Sequence, residues 1–106
     1  MVAVIPGFVK MQKRLVALGY REITGQKGNF LFSENTKARG HEFHYSTYHP
    51  KGDFPFAYYT SGFAGTLKEG YMSNNLIAGY THIHFASCLD LVDNWIKKCR
   101  DYRENI

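Results

Sequence analysis

The chain has 106 residues, of which 44% are hydrophobic and 16% aromatic, and this composition is typical of one soluble globular domain spanning residues 1–106. No apolar run approaches the roughly 20 residues that cross a bilayer, and the first residues lack the basic region of a signal peptide, so we expect a cytoplasmic protein with no membrane partner. The net charge of +4 is mild and accompanies no nucleic-acid-binding motif, which argues against a nucleic-acid partner.

The first third of the chain alternates turn residues with short apolar runs. Residues 2–5 are predicted to form a buried strand that ends at a Pro-Gly pair. Helical spacing then predicts a helix that stops at Gly19, with apolar positions at Phe8, Met11, Leu15 and Leu18. Residues 20–24 and 29–33 are predicted to pair as a hairpin around a glycine-containing turn.

The middle of the chain is predicted to consist of short strands and turns. Residues 40–48 form one strand candidate, and the Pro and Gly residues of segment 49–56 indicate a loop. Further short strands are predicted at residues 58–61, 65–67 and 70–73, followed by a turn at Asn74 and Asn75 and a longer strand over residues 76–85.

The last segment is predicted to be a helix capped by Ser87, with Asp90 three residues later. Its expected buried stripe consists of Val92, Trp95, Ile96, Cys99 and Tyr102. Because Cys88 and Cys99 form no C-x-x-C pair, we expect both to be reduced thiols, with Cys99 in the core. The predicted fold is therefore α/β, resembling an α+β fragment, with mostly antiparallel short strands and two flanking helices.

The histidines cluster in two segments, residues 41–49 and 82–84. On a strand, His82 and His84 project from one face, while Glu42 and His44 share a face opposite to His41. Imidazoles that titrate near neutrality need partners when they are buried, and they serve readily as acids, bases or metal ligands.

The residue types and their spacing allow three interpretations of this histidine cluster. A metal site is disfavoured because His41 and His44 do not form H-E-x-x-H and point to opposite faces of a strand. The histidines could instead be hydrogen-bonded structural residues. An acid/base role in nucleophilic catalysis is the third interpretation.

Several segments, taken in order, resemble one family: Val4-Ile5-Pro6-Gly7, Ala17-Leu18-Gly19-Tyr20-Arg21-Glu22, Gly40-His41-Glu42-Phe43-His44-Tyr45-Ser46 and Tyr80-Thr81-His82-Ile83-His84-Phe85. They resemble the C-terminal part of the glutamine amidotransferase domain of cobyrinic acid a,c-diamide synthases. The resemblance implies the C-terminal half of a class I glutamine amidotransferase-like domain. It also implies a reaction in which a cysteine thiol attacks glutamine, and the ammonia released is used to amidate a corrinoid.

The resemblance also implies roles for individual residues. His82 matches the family's catalytic histidine, and His84 stands two residues later, where related amidotransferases place the acid that orients it. Glu42 and His44 match a segment expected to line the same cleft. No cofactor is implied for this chain, whereas ATP and Mg²⁺ are implied for the full enzyme.

The chain departs from the family at two points. Neither Cys88 nor Cys99 matches the nucleophilic cysteine, and the sequence contains no G-x-x-x-x-G-K-[ST] phosphate loop. We therefore expect partners that supply the N-terminal half or a synthetase subunit, and no activity from this chain alone. The alternative is a non-catalytic binding or interaction module. In either case, core surface left without its partner favours pairing, including self-association.

Overall fold

The computed structural model describes residues 4–33, 36–63 and 65–105. In these residues, short strands precede one α-helix, and a single 3-10 turn at Phe85–Ser87 leads into it. The elements are β1 (Gly7–Met11), β2 (Ala17–Gly25), β3 (Lys37–His44), β4 (Ser46–Pro50), β5 (Tyr58–Gly62), β6 (Gly65–Glu69), β7 (Tyr71–Ser73), β8 (Leu76–Ala78), β9 (His82–His84) and α1 (Leu89–Glu104).

The largest sheet has five strands in the order β6-β5-β2-β3-β9, and all neighbouring pairs are antiparallel. Strand β2 is its centre because it pairs with both β3 and β5. Alternation along β3 buries Ala38, Gly40 and Glu42 on one face, called here the inner face, and exposes the residues between them on the outer face. The remaining strands form two small antiparallel sheets of two strands each, β1–β4 and β7–β8.

The core lies against the inner face of the five-stranded sheet. Its buried apolar residues are Ile23, Phe32, Ala38, Ala57, Tyr58, Met72 and Leu91. Leu91 is 2% exposed and anchors α1 to this core, while the Asn94 amide donates a hydrogen bond to the Leu31 carbonyl at 2.8 Å. These contacts hold the helix on the loop that follows β2. The α/β class and the mostly antiparallel pairing predicted from the sequence are confirmed.

The predicted first helix is wrong: the chain forms β1 and the start of β2 there, so one helix flanks the sheet instead of two. Phe8, Met11 and Leu18 are exposed and do not form a buried stripe. Pairing of β1 with β4, including the stack of Phe8 on His49 at 4.8 Å between ring centroids, overrides the helical spacing. Of the predicted strand at residues 2–5, the first two residues lie outside the described part, and the last two are not in a strand.

The predicted hairpin partner of β2 is also wrong. Residues 29–33 are irregular because the Asn29 side chain bonds locally: its carbonyl accepts from Leu31 N–H, and its amide donates to the Ala57 carbonyl. Strands β3 and β5 occupy the two edges of β2 instead. The single strands predicted at residues 40–48 and 76–85 are each broken in two.

Two details of the predicted last helix are wrong as well. The residue before α1 is Cys88, and it makes no side-chain cap. The Ser87 hydroxyl is used elsewhere, donating to the His84 carbonyl and accepting from Arg39 N–H. The expected stripe is largely exposed, including Cys99, while Leu91 is the buried residue. Among the described residues, no sheet packs against the stripe of α1 that was predicted to be buried.

Candidate functional site

Strand β9 presents the two C-terminal histidines on the outer face of the sheet. Both His82 and His84 are exposed, while Ile83 between them is half-buried and packs toward the core. The strand is three residues long, and among the residues that the structure describes it pairs only with β3. The ring of His82 is therefore open to a ligand or to another polypeptide approaching the outer face.

The ring of His82 contacts the ring of His41, which lies directly across the strand pair. The two ring centroids lie 5.0 Å apart, and the rings meet edge to face at 62°. The sequence placed His41 on the opposite face from Glu42, which is confirmed, but it gave His41 no role. Only the register of β3 against β9 brings these two imidazoles together, and no local pattern contains that information.

His84 lies across from Arg39 on the same outer face. The hydrogen bonds found in the described part of the chain do not join the rings of His82 and His84. An orienting role for His84 stays a prediction.

Glu42 and His44 lie on the face of β3 opposite to His41, so the structure does not bring them to the His82 ring. The Nδ1 atom of His44 is 2.8 Å from the Ser46 carbonyl oxygen, and because a carbonyl only accepts, Nδ1 carries the proton. The His44 ring stacks on Tyr80 at 3.8 Å, and the Tyr80 hydroxyl is 2.8 Å from the Ser46 hydroxyl. Through this stack, His44 holds Tyr80 in the segment that leads into β9.

A buried polar network lies directly behind β9. Glu42 accepts a hydrogen bond from Arg21 Nε at 3.1 Å through one carboxylate oxygen and contacts the Thr81 hydroxyl at 3.1 Å through the other. The Thr81 hydroxyl also lies 3.0 Å from Glu69, which in turn accepts from Tyr80 N–H. Sequence reasoning missed Thr81 and Glu69 because their contact depends on how the sheet curves.

The phenol of Tyr58 also belongs to this network, beside Glu69 and Thr81. Burial raises the pKa of Tyr58 strongly, and the neighbouring Glu69 carboxylate raises it further. The group therefore stays a neutral phenol that can donate a hydrogen bond. Gly79 permits this position, because any side chain there would overlap the Tyr58 ring and hydroxyl.

The described residues contain no group of three or more His, Cys, Asp or Glu side chains arranged to hold a metal ion. Of the cysteines, Cys88 is half-buried against the core and Cys99 is exposed on α1. Within the residues described, no helix has the length and apolar character needed to cross a membrane.

Comparison with known proteins gives a consistent assignment. The family described as the CobB/CobQ-like glutamine amidotransferase domain matches residues 1–88. The chain is 57% identical over 100 residues to the cobyrinate a,c-diamide synthase of Priestia megaterium, a match that covers 94% of this chain and 22% of that protein. It is 38% identical to the corresponding protein of Thermoplasma volcanium, covering 95% of this chain and 22% of the relative. For the Salmonella typhimurium protein the identity is 34%, with 94% and 22% covered.

The chain thus spans about a fifth of the length of the curated relatives that it matches. No solved structure matches it.

Proposed function

Because the chain belongs to the CobB/CobQ-like glutamine amidotransferase domain family, we propose that it supplies the histidine side of a glutamine-hydrolysing site. The thiol of that site comes from a segment outside these 106 residues. The exposed position of His82 on the outer face, with its ring free to meet a second polypeptide surface, carries the proposal.

In the proposed reaction, His82 takes the proton of the thiol, and the thiolate attacks the side-chain carbonyl carbon of glutamine. A carbon–sulfur bond forms, and the tetrahedral intermediate collapses by breaking the carbon–nitrogen bond. His82 returns the proton to the departing nitrogen, so that ammonia leaves. Water, deprotonated by the same imidazole, then attacks the thioester to give glutamate and the free thiol. His84 holds the His82 imidazole in the required orientation.

The names of the relatives suggest the use of the ammonia. We propose that the full protein amidates two acetate side chains of a corrinoid in cobalamin biosynthesis, in an ATP- and Mg²⁺-dependent synthetase domain outside this chain. Glu42 and His44 support the cleft from the inner face of the sheet. The 57% identity to a cobyrinate a,c-diamide synthase over nearly the whole chain supports this choice of substrate.

The test uses a chimera in which this chain replaces the matching segment of the Priestia megaterium protein. We expect the chimera to hydrolyse glutamine, and we expect His82→Ala to lower kcat by at least about 100-fold, because general acid–base catalysis typically contributes 10²–10⁴-fold. Glutamate release measured under glutamine saturation is the readout.

His49→Ala is the matched control, because it removes an exposed imidazole from β4, which belongs to a separate small sheet. It should leave the turnover unchanged. Glutamine hydrolysis that is indifferent to His82→Ala would contradict the assignment.

A second candidate function is a non-catalytic interaction module, and the exposed apolar side chains of the outer face, Leu18, Tyr20 and Phe43, favour it. In that case the chimera would fold and bind its synthetase partner without hydrolysing glutamine. The same assay therefore separates the two candidates.

A further inference from the structure

Thr81 immediately precedes the proposed catalytic histidine, and its side chain points the other way. His82 projects from the outer face of the sheet, whereas Thr81 is 8% exposed and lies on the inner side. We propose that Thr81 is a positioning residue for His82, acting through a hydroxyl that donates to either of two carboxylates beside the start of β9. The inference rests on the proposed function, since it concerns the placement of the same imidazole.

The Thr81 hydroxyl lies between two carboxylates from different strands. Its oxygen is 3.1 Å from Glu42 on β3 and 3.0 Å from Glu69 on β6. A hydroxyl carries one hydrogen, so it donates to one carboxylate at a time. Each carboxylate also has a donor of its own: Arg21 Nε for Glu42 and Tyr80 N–H for Glu69. The hydroxyl therefore bonds to one carboxylate at a time, and either bond ties Thr81 to a strand other than β9.

The two tether points are far apart in the order of the sheet. Strand β6 forms one edge and β9 the other, with β5, β2 and β3 between them. Contact of Thr81 with Glu69 thus spans the inner face of a curved sheet, and contact with Glu42 fixes the same residue to the neighbouring strand. Either bond restricts the position of the backbone at the first residue of β9.

Strand β9 needs such a tether because its own pairing is short. Three residue pairs join it to β3, and the His41–His82 pair is the last of them on the Thr81 side. Pairing this short frays easily unless it is held from outside. Loss of the Thr81 hydroxyl leaves the paired end of β9 free to shift relative to His41. A shift of about 1 Å at a reacting group can lower turnover about 100-fold.

The test compares Thr81→Val, which keeps the shape and removes the hydroxyl, with Thr81→Ser, which keeps the hydroxyl. In the chimera with the Priestia megaterium protein, we expect Thr81→Val to lower kcat for glutamine hydrolysis by about 10- to 100-fold with an unchanged KM. Thr81→Ser should retain most of the turnover. Thr66→Val is the control, because Thr66 is an exposed threonine on β6 whose hydroxyl contacts Ser61.

A spectroscopic readout on the 106-residue chain separates positioning from general loss of structure. We expect Thr81→Val to shift the imidazole NMR signals of His82 and His41 while those of His49, on the other sheet, stay in place. Signals of all three rings moving together would indicate general unfolding and would overturn the inference.

The kinetic outcomes distinguish the two proposals. If His82→Ala abolishes turnover and Thr81→Val leaves kcat within about twofold of the parent chimera, a change worth less than about 0.5 kcal/mol, the proposed function stands and the positioning role of Thr81 is refuted. Equal losses from Thr81→Ser and Thr81→Val would also refute it, because the hydroxyl would then not matter. If His82→Ala has no effect, the proposed function itself fails.

Discussion

Arg21 and Glu42 form an ion pair in the buried polar network behind β9, with side chains that are 17% and 9% exposed. Such a pair contributes little net stability relative to apolar residues, but removal of one partner leaves the other charge desolvated and unpaired. Glu42 would keep the Thr81 hydroxyl as its neighbour, which compensates a carboxylate charge only in part. The network is therefore sensitive to the loss of Arg21.

We expect Arg21→Ala to lower the free energy of unfolding by about 2 to 4 kcal/mol, because it strands the buried Glu42 carboxylate. Urea denaturation of the chain monitored by circular dichroism measures the change. Lys37→Ala is the matched control, since the Lys37–Glu22 pair is 61% and 45% exposed, and its loss should change stability by less than about 1 kcal/mol. Similar effects of the two substitutions would mean that Glu42 is well solvated.

At the scale of elements, the junction of β3 with β9 decides where the candidate histidine lies. Gly40 pairs with Ile83 at the middle of this junction. A Cβ atom at Gly40 would lie 2.9 Å from the carbonyl carbon of His82 and 3.0 Å from the Cα atom of Ile83. Because both atoms belong to the backbone, neither can move aside by changing a rotamer, and glycine is required for this close approach.

We expect Gly40→Ala to destabilise the fold by about 1 to 3 kcal/mol and to weaken the pairing of β9 in particular. Hydrogen exchange of the β9 amides, measured beside those of β2, reports the local effect. Gly52→Ala provides the comparison: open space surrounds that position, and only its φ of 90° penalises a side chain. Undiminished protection of β9 in Gly40→Ala would contradict the importance of this approach.

The whole molecule is thin and exposes more surface than a compact domain of its mass. The chain has an accessible surface of 8045 Å², whereas a folded monomer of 12.2 kDa exposes about 6,100 Å². Its extents are 46 × 32 × 19 Å, and its radius of gyration is 14.4 Å against about 13 Å for a compact chain of this length. Large apolar side chains are exposed on the outer face of the sheet and on α1, including Leu18, Tyr20, Phe43, Trp95 and Tyr102.

We expect the isolated chain to associate in a concentration-dependent manner through this surface. Sedimentation velocity from low to high micromolar concentration measures it, and the combined substitution of Leu18, Tyr20 and Phe43 by serine should shift the distribution toward monomer. Val9→Ser is the control, since that side chain is exposed on β1, which belongs to a separate small sheet. A strictly monomeric unsubstituted chain throughout this range would refute the expectation.

The sequence predictions were correct where the feature depends on residues close together in the chain, and wrong where it depends on pairing between distant segments. The turn at Asn74 and Asn75, the alternation that separates His41 from Glu42, and the existence of the last helix were predicted, because each depends on neighbouring residues. The helix predicted to end at Gly19 was wrong, because spacing within the segment carries no information about β4, which pairs with β1. The family resemblance was confirmed over nearly the whole chain.

The sequence by itself determined the family, through the resemblance of its segments, and the mostly antiparallel class. It also determined the strand faces of His41, His44, His82 and His84, since side chains alternate along a strand. The tertiary structure alone decided that His41 meets His82 and that Thr81 joins Glu42 to Glu69. These contacts link residues 12 to 41 positions apart through strand register and sheet curvature, which are set by pairing across the whole sheet.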